Sequence, residues 1–309
     1  MKIQSISIVV PTGGCVNNCP FCVSKMHKSP YEDQWDESQM IKRIQYAVMS
    51  GVNTCVITGT GEPLQNKSFL NNLVVLFRKM NHPFPNVEFQ TTGVFLSEQT
   101  GVSLGTNYEF YTSTTYPNIE VLKYLRVNTI SLSVANIFDD SKNNKIIGTS
   151  QKTEFYLYNL IQLLKANGFN IRLSLNMLKD YDNYTPEHII ARCKELNADQ
   201  ITFRKMYYNL DKDSFIENNE GKWAKENKCN EMMINDIKRY IQGGYESFVG
   251  GKLLYKLPFG AKVYSISGMS VVMDDDCMSE ENDEALKYII LRENGKLYCR
   301  WNDEGSLIF

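Results

Sequence analysis

Six times between residues 5 and 206 a short β-rich apolar run is followed by a stretch with helical periodicity, and this alternation restricts the fold more than any other feature of the chain. The runs are Ser5–Val10, Thr54–Thr58, Val87–Thr91, Thr129–Val134, Ile171–Met177 and Gln200–Met206. One intervening helix opens near Asp36, places Met40, Ile41, Ile44, Ala47 and Val48 on one face and stops at Gly51; another carries Phe69, Leu70, Leu73, Leu76 and Phe77. Later helices are expected over Ile119–Leu125, from Thr153 to Asn167 ahead of Gly168, and from Pro186, a proline suited to a first helical position, to Leu196. Only the connection Thr112–Pro117 reads as irregular. A unit of about 34 residues matches the βα repeat of an eight-stranded barrel, with parallel strands joined by crossover helices. Six units fall two short of closure, so the expected architecture is α/β, an open partial (β/α)6 TIM-like barrel.

Past Met206 the pattern changes. Tyr207–Lys228 reads as polar and irregular, Glu231–Ile241 as one more helix, and Lys256–Asp274 and Leu286–Trp301 as antiparallel hairpins, the second turning at Asn294-Gly295. The chain therefore divides into a barrel over 1–206 and a C-terminal α+β cap of antiparallel hairpins over 207–309, placed across the barrel mouth.

With 309 residues, 43% of them hydrophobic, the chain can bury a large core. Its 33 Lys and Arg against 35 Asp and Glu give a net charge of -2, which leaves no excess positive charge for sequence-independent phosphate binding, so a dedicated nucleic-acid binder is disfavoured. The opening Met1–Val10 is too short an apolar run for a signal peptide, and no segment approaches the ~18 apolar residues of a membrane span. A cytoplasmic protein with no membrane partner is expected, and its eight cysteines then read as reduced thiols or metal ligands.

Three of those cysteines share one stretch, Gly13-Gly14-Cys15-Val16-Asn17-Asn18-Cys19-Pro20-Phe21-Cys22, at spacing C-x3-C-x2-C. Three thiolates are one fewer than a closed tetrahedral site needs, so a metal here either finds a remote fourth ligand or keeps one position open for chemistry. The same residues also serve as buried small side chains, or with His27 or a distant cysteine as a structural zinc site in a non-catalytic binding protein. The other five, Cys55, Cys193, Cys229, Cys277 and Cys299, form no second C-x-x-C pair.

The loop after the second strand carries Thr60-Gly61-Glu62-Pro63. Ligands of parallel α/β folds gather at the carboxyl ends of the strands, so this loop and the cysteine loop meet at one rim. The cysteine spacing together with Gly-Glu-Pro at the end of strand two resembles the radical S-adenosylmethionine (SAM) superfamily over roughly residues 5–206. That resemblance implies that Cys15, Cys19 and Cys22 hold three irons of a [4Fe-4S] cluster whose fourth iron is chelated by SAM. It implies that Gly61, Glu62 and Pro63, with Thr60 in place of the family's first glycine, meet the methionine amino group, and that the backbone of Phe21 meets the adenine. Weaker matches are Thr92, beside Gly93, after strand three, Ser133 and Asn176 as polar partners of the ribose and carboxylate, and Arg204 at the substrate end of strand six. The family's chemistry, a 5'-deoxyadenosyl radical that abstracts hydrogen, requires an electron donor such as flavodoxin or ferredoxin and exclusion of water and oxygen.

Asn294–Cys299 resembles the hairpin of SPASM and twitch domains, whose cysteine ligates an auxiliary cluster, with Cys277 upstream. Its spacing is off by one residue and further clustered cysteines are lacking, so a buried or surface thiol is expected. Asp274-Asp275-Asp276 reads as a charged turn before a cation site. The leading functional reading is a radical SAM enzyme acting on a small molecule, nucleotide- or cofactor-like. The others are radical SAM modification of a peptide or RNA, and the zinc-stabilised binder.

Overall fold

The computed structural model describes residues 2–26, 35–97, 118–150, 154–208, 218–243, 250–257, 261–274, 285–301 and 303–309. His27, the Thr112–Pro117 connection, Asp275, Asp276 and Cys277 lie outside the described residues, and so does the side chain of Asp274. In chain order the elements are β1 (Lys2–Val10), α1 (Val23–Met26), α2 (Glu37–Met49), β2 (Thr54–Gly59), α3 (Lys67–Lys79), β3 (Asn86–Thr91), α4 (Val94–Ser97) and α5 (Asn118–Tyr124). Next come β4 (Thr129–Val134), α6 (Asp140–Ile147), α7 (Leu157–Ala166), β5 (Asn170–Asn176), α8 (Pro186–Glu195) and β6 (Gln200–Arg204). The C-terminal part contributes α9 (Asn219–Asn227), α10 (Glu231–Gln242), β7 (Lys252–Lys256), β8 (Lys262–Ile266), β9 (Met269–Asp274), β10 (Ala285–Leu291) and β11 (Leu297–Tyr298).

All of these strands lie in one sheet of order β11-β10-β1-β2-β3-β4-β5-β6-β9-β8-β7. From β10 through β9 every neighbouring pair is parallel, and β11, β8 and β7 add antiparallel edges. The result is the expected open α/β barrel with hairpins, β10–β11 and β8–β9, in the C-terminal third. The hairpins continue the sheet at its two ends: β10 pairs alongside β1, and β9 alongside β6. The β8–β9 turn is Ser267-Gly268, both with positive φ (53° and 84°), the backbone that matches the twist of a two-residue hairpin.

Strand alternation separates an apolar outer face from a polar inner one. Ile6, Ile8 and Val10 of β1, Cys55 and Ile57 of β2, Val87 and Phe89 of β3 and Ile171, Leu173 and Leu175 of β5 are buried in one core. The opposite face presents Ser5, Ser7, Thr54, Thr58, Glu88 and Gln90, among others, to a cavity of about 760 Å³. A closed barrel of this type packs its interior with branched side chains; here the interior is a cavity lined by polar and apolar side chains together. Along its wall Gln90 donates to Glu88 (3.2 Å), Arg172 pairs with Glu88, and Arg172 also donates to Gln200 (2.8 Å).

Side-chain caps fix the helix starts. Asp36 accepts from Gln39 N–H, Asn66 from Phe69 N–H, and Thr185 from His188 N–H ahead of Pro186. Two helices depart from the sequence expectation. Tyr207–Lys228 is not irregular throughout, because Asn218 caps α9, a helix too polar to show periodicity that buries only Gly221 and Ala224. Similarly α6 is short and polar, and its buried Asn143 accepts backbone N–H bonds from Ala135 (2.9 Å) and Asn136 (3.2 Å). No helix of the described residues is long and apolar enough to cross a membrane.

Candidate active site

The cysteine loop leaves the carboxyl end of β1 and is fastened by residues far away in the chain. Pro11 C=O accepts from the Asn66 side chain (2.7 Å) and Val16 N–H donates to Gln65 Oε1 (2.7 Å), so the turn after β2 holds both ends of the first half. On the other side Asn18 N–H and the Cys19 thiol donate to Ile147 C=O (3.2 and 3.3 Å) at the end of α6. Gly148 follows with φ +69°, and a Cβ there would come within 2.8 Å of the Asn18 backbone. Glycine is thus required twice over, for conformation and for close approach.

The second motif packs directly on the first. A Cβ on Gly61 would stand 2.4 Å from Gly14 O and 2.6 Å from Thr12 Oγ1. Thr60 lies beside the same strand end, its hydroxyl 3.4 Å from that of Thr12. Pro63 starts a buried 3-10 turn, and Glu62, 2% exposed, points away from solvent into the rim. Its carboxylate accepts from Thr91 Oγ1 (2.6 Å), Thr92 N–H (2.9 Å) and Thr92 Oγ1 (2.8 Å), and Thr92 Oγ1 accepts from the Asn17 side chain (2.8 Å). Burial pushes the Glu62 carboxyl above its ordinary range, opposed by those hydrogen bonds. Glu62 and Thr92, through Asn17, therefore tie the ends of β2 and β3 to the cysteine loop.

Ser133, Asn176 and Arg204 stand at neighbouring ends of β4, β5 and β6. Asn176 donates to Ser133 Oγ (3.1 Å) and to Val134 C=O (3.2 Å), while Arg204 is the register partner of Asn176. The Phe21 ring packs 5.9 Å from that of Trp223, joining the cysteine loop to α9. Sequence reading misses the anchors Thr12, Asn17, Gln65, Asn66 and Gly148. Only Asn66 carries a local signal, as a residue able to cap α3.

The donor set fits a thiophilic cation. Cys15 is exposed, and Cys19 and Cys22 are partly exposed. Burial, and then the nearby thiols Cys22 and Cys15, push the Cys19 thiol up to about 12; burial raises Cys15 as well. The thiols are close enough for their charges to repel, and a bound cation offsets that repulsion. Among the described residues no three His, Cys, Asp or Glu side chains are already gathered into a metal site, and no fourth protein ligand joins the trio. Elsewhere Cys229 is buried and donates to Asp182 (2.8 Å), and Cys299 follows β11 without metal-binding partners among the described residues.

A family model described as the radical SAM superfamily matches residues 9–193, more than half the chain. No curated protein matches the sequence. Among solved structures, SuiB of Streptococcus suis bound to precursor peptide SuiA aligns with TM-score 0.57 and 13% identity over 96% of this chain and 59% of its own. The anSMEcpe structure with bound AdoMet and the Cp18Cys peptide aligns with TM-score 0.57 and 12% identity over 98% of this chain and 75% of its own. The chain thus spans about three-fifths of the length of SuiB, and at these identities the likeness is one of fold. With the family model running from the end of β1 into α8 and covering both rim motifs, the chain belongs to the radical SAM superfamily, whose enzymes use a [4Fe-4S] cluster and SAM.

Proposed function

We propose that the chain is a radical SAM enzyme that removes a hydrogen atom from a small-molecule substrate, nucleotide- or cofactor-like, held inside the barrel. Cys15, Cys19 and Cys22 would hold three irons of the cluster. When bound, the cluster would pass one electron to SAM, which would part into methionine and a 5'-deoxyadenosyl radical facing the adjoining cavity. Thr60, Gly61, Glu62 and Pro63 shape the rim for the methionine end, Glu62 by fixing the loop from beneath through Thr91 and Thr92. Phe21 and Thr92 flank the same site, and Ser133, Asn176 and Arg204 offer polar side chains from the next strands. Residues 1–206 form the catalytic barrel, and 207–309 complete and cover its lumen through residues such as Tyr255, Tyr288 and Trp301, which line the cavity. Reduction would come from a flavodoxin or ferredoxin, and the lumen's shelter from water and oxygen serves the same chemistry.

One observation carries the small-molecule reading: the cavity of about 760 Å³ inside the barrel has the size of a site that takes one metabolite. The peptides bound to SuiB and anSMEcpe, whose structures cover nearly the whole chain, favour a second reading in which a peptide side chain enters the same lumen. Anaerobic reconstitution decides the frame. We expect about four irons per chain with broad absorption near ~400 nm, lost when Cys15, Cys19 and Cys22 are replaced by Ala, and slow formation of 5'-deoxyadenosine from SAM under dithionite. A colourless protein holding one zinc would instead mean a non-catalytic binder. Size-fractionated cell extract separates the substrates: stimulation confined to a protease- or ribonuclease-sensitive macromolecular fraction replaces the small molecule by a peptide or RNA.

A further inference from the structure

Among the described residues of the cavity wall the charges do not balance. Although the chain as a whole is net negative, these residues include Arg172, Arg204, Lys287 and Arg292 against Glu88 and Glu293. Arg172 is neutralised where it stands by Glu88 and is further held by Gln200. The Arg292 guanidinium is engaged by the carbonyls of Arg300 and Trp301 (2.7 and 2.6 Å) and lies 3.9 Å from the Tyr298 ring. Arg204 differs from both in that no ion pair or side-chain hydrogen bond links it to a described residue, while its Nε, like that of Arg292, is buried without a partner. It stands four residues beyond Gln200 along β6, about 13 Å nearer the rim than the neutral Glu88–Arg172 pair.

A half-buried guanidinium on a cavity wall with no side-chain acceptor in the described protein leaves its outer N–H groups for a ligand that supplies one. Its planar fork suits two oxygens of one anionic group. We propose that Arg204 is the anion-binding residue of the lumen and that the substrate carries a carboxylate or phosphate which it captures, so that the substrate's reacting carbon is positioned from that end. This rests on the enzymatic reading above and narrows its substrate class to an anionic metabolite.

The test uses the full, reconstituted chain saturated with SAM and titrates it by calorimetry with two probes, malonate and inorganic phosphate. At least one probe should bind, and the tighter of the two distinguishes a carboxylate substrate from a phosphate one. Replacing Arg204 by Gln should weaken that binding by about tenfold to a hundredfold, the loss of a charge-assisted fork. Arg204→Lys should recover part of the binding, and Lys252→Gln, removing a charge from the exposed edge strand β7, should change it less than about twofold. SAM affinity, measured in parallel for Arg204→Gln, separates a substrate role from a SAM role, and uncoupled 5'-deoxyadenosine formation should be unchanged in Lys252→Gln. No binding of either probe, equal binding by wild type and Arg204→Gln, or a parallel loss of SAM affinity would each overturn the proposal, the last by assigning Arg204 to SAM. If wild type never cleaves SAM, the enzymatic reading fails, while the probe titration still decides whether Arg204 captures anions.

Discussion

The six strands of the first two thirds of the chain and the strands of its last third share one sheet, yet different rules put them there. Strands β1 to β6 lie side by side in the order in which they occur, each joined to the next by a helical crossover. The last third sends β9 to one end of that row and β10 to the other, so that residue 285 pairs with residue 2. The first arrangement follows from neighbouring β-α units, whose right-handed crossovers leave little choice. The second needs contacts across nearly the whole chain, whose closure entropy nothing local signals. The consequence is functional as well, because the late strands supply cavity wall, including Ser270, Lys287 and Tyr288.

The largest effect that tests this comparison is deletion. A chain ending at Met206 lacks the parallel partners of β1 and β6, and it exposes both edges of the sheet along with apolar surface that Ile289, Leu291 and Leu297 cover in the intact molecule. We expect it to lose the cooperative thermal transition of the full chain, measured by circular dichroism and calorimetry. A sharp transition at the full-chain temperature would show that residues 1–206 fold alone and that the last third is an appendage.

A single residue sharpens the same point. Ile289 in β10 is fully buried and is the register partner of Ile6. Replacing it by Ala should cost about 2–5 kcal/mol in urea unfolding, the usual result of leaving a cavity in a packed core. That is the size expected for Leu173 of β5, which is equally buried. A loss under about 1 kcal/mol for Ile289→Ala beside a full loss for Leu173→Ala would separate the two regions energetically.

Legibility in the sequence follows the same divide. The strands β2 to β5 are read to within a residue at each end, and β1 and β6 to within two or three, because each alternates an apolar outer face with more polar inner positions. The hairpin at Asn294-Gly295 is read from its turn, with Gly295 at φ +70°. What pairs with β10 is not, since Ile289 and Ile290 look like any buried strand. The site divides likewise. Cysteine spacing and the Gly61-Glu62-Pro63 run are local and announce themselves, whereas the Glu62–Thr92–Asn17 chain and the docking of Asn18 on Ile147 are long-range contacts between ordinary polar residues. Polar helices such as α6 and α9 escape notice because their periodicity is carried by Asn and Gly in place of apolar residues.

The smallest expected effect lies at the sheet's far end. β7 is paired only with β8 among the described residues, its register slips between Leu253 and Tyr255, and all five of its residues are exposed. Leu254 is 48% exposed, so replacing it by Ser removes little buried area and opens no cavity. Stability should move by no more than about 0.5 kcal/mol in either direction, as for other surface changes. Solubility should improve, because an exposed apolar edge strand is a template for pairing between chains. Measured beside Ile289→Ala, this change grades the last third internally: β10 belongs to the barrel wall and β7 to its margin. A loss above about 2 kcal/mol for Leu254→Ser would put β7 inside a packed contact and make the whole C-terminal third one continuous part of the barrel.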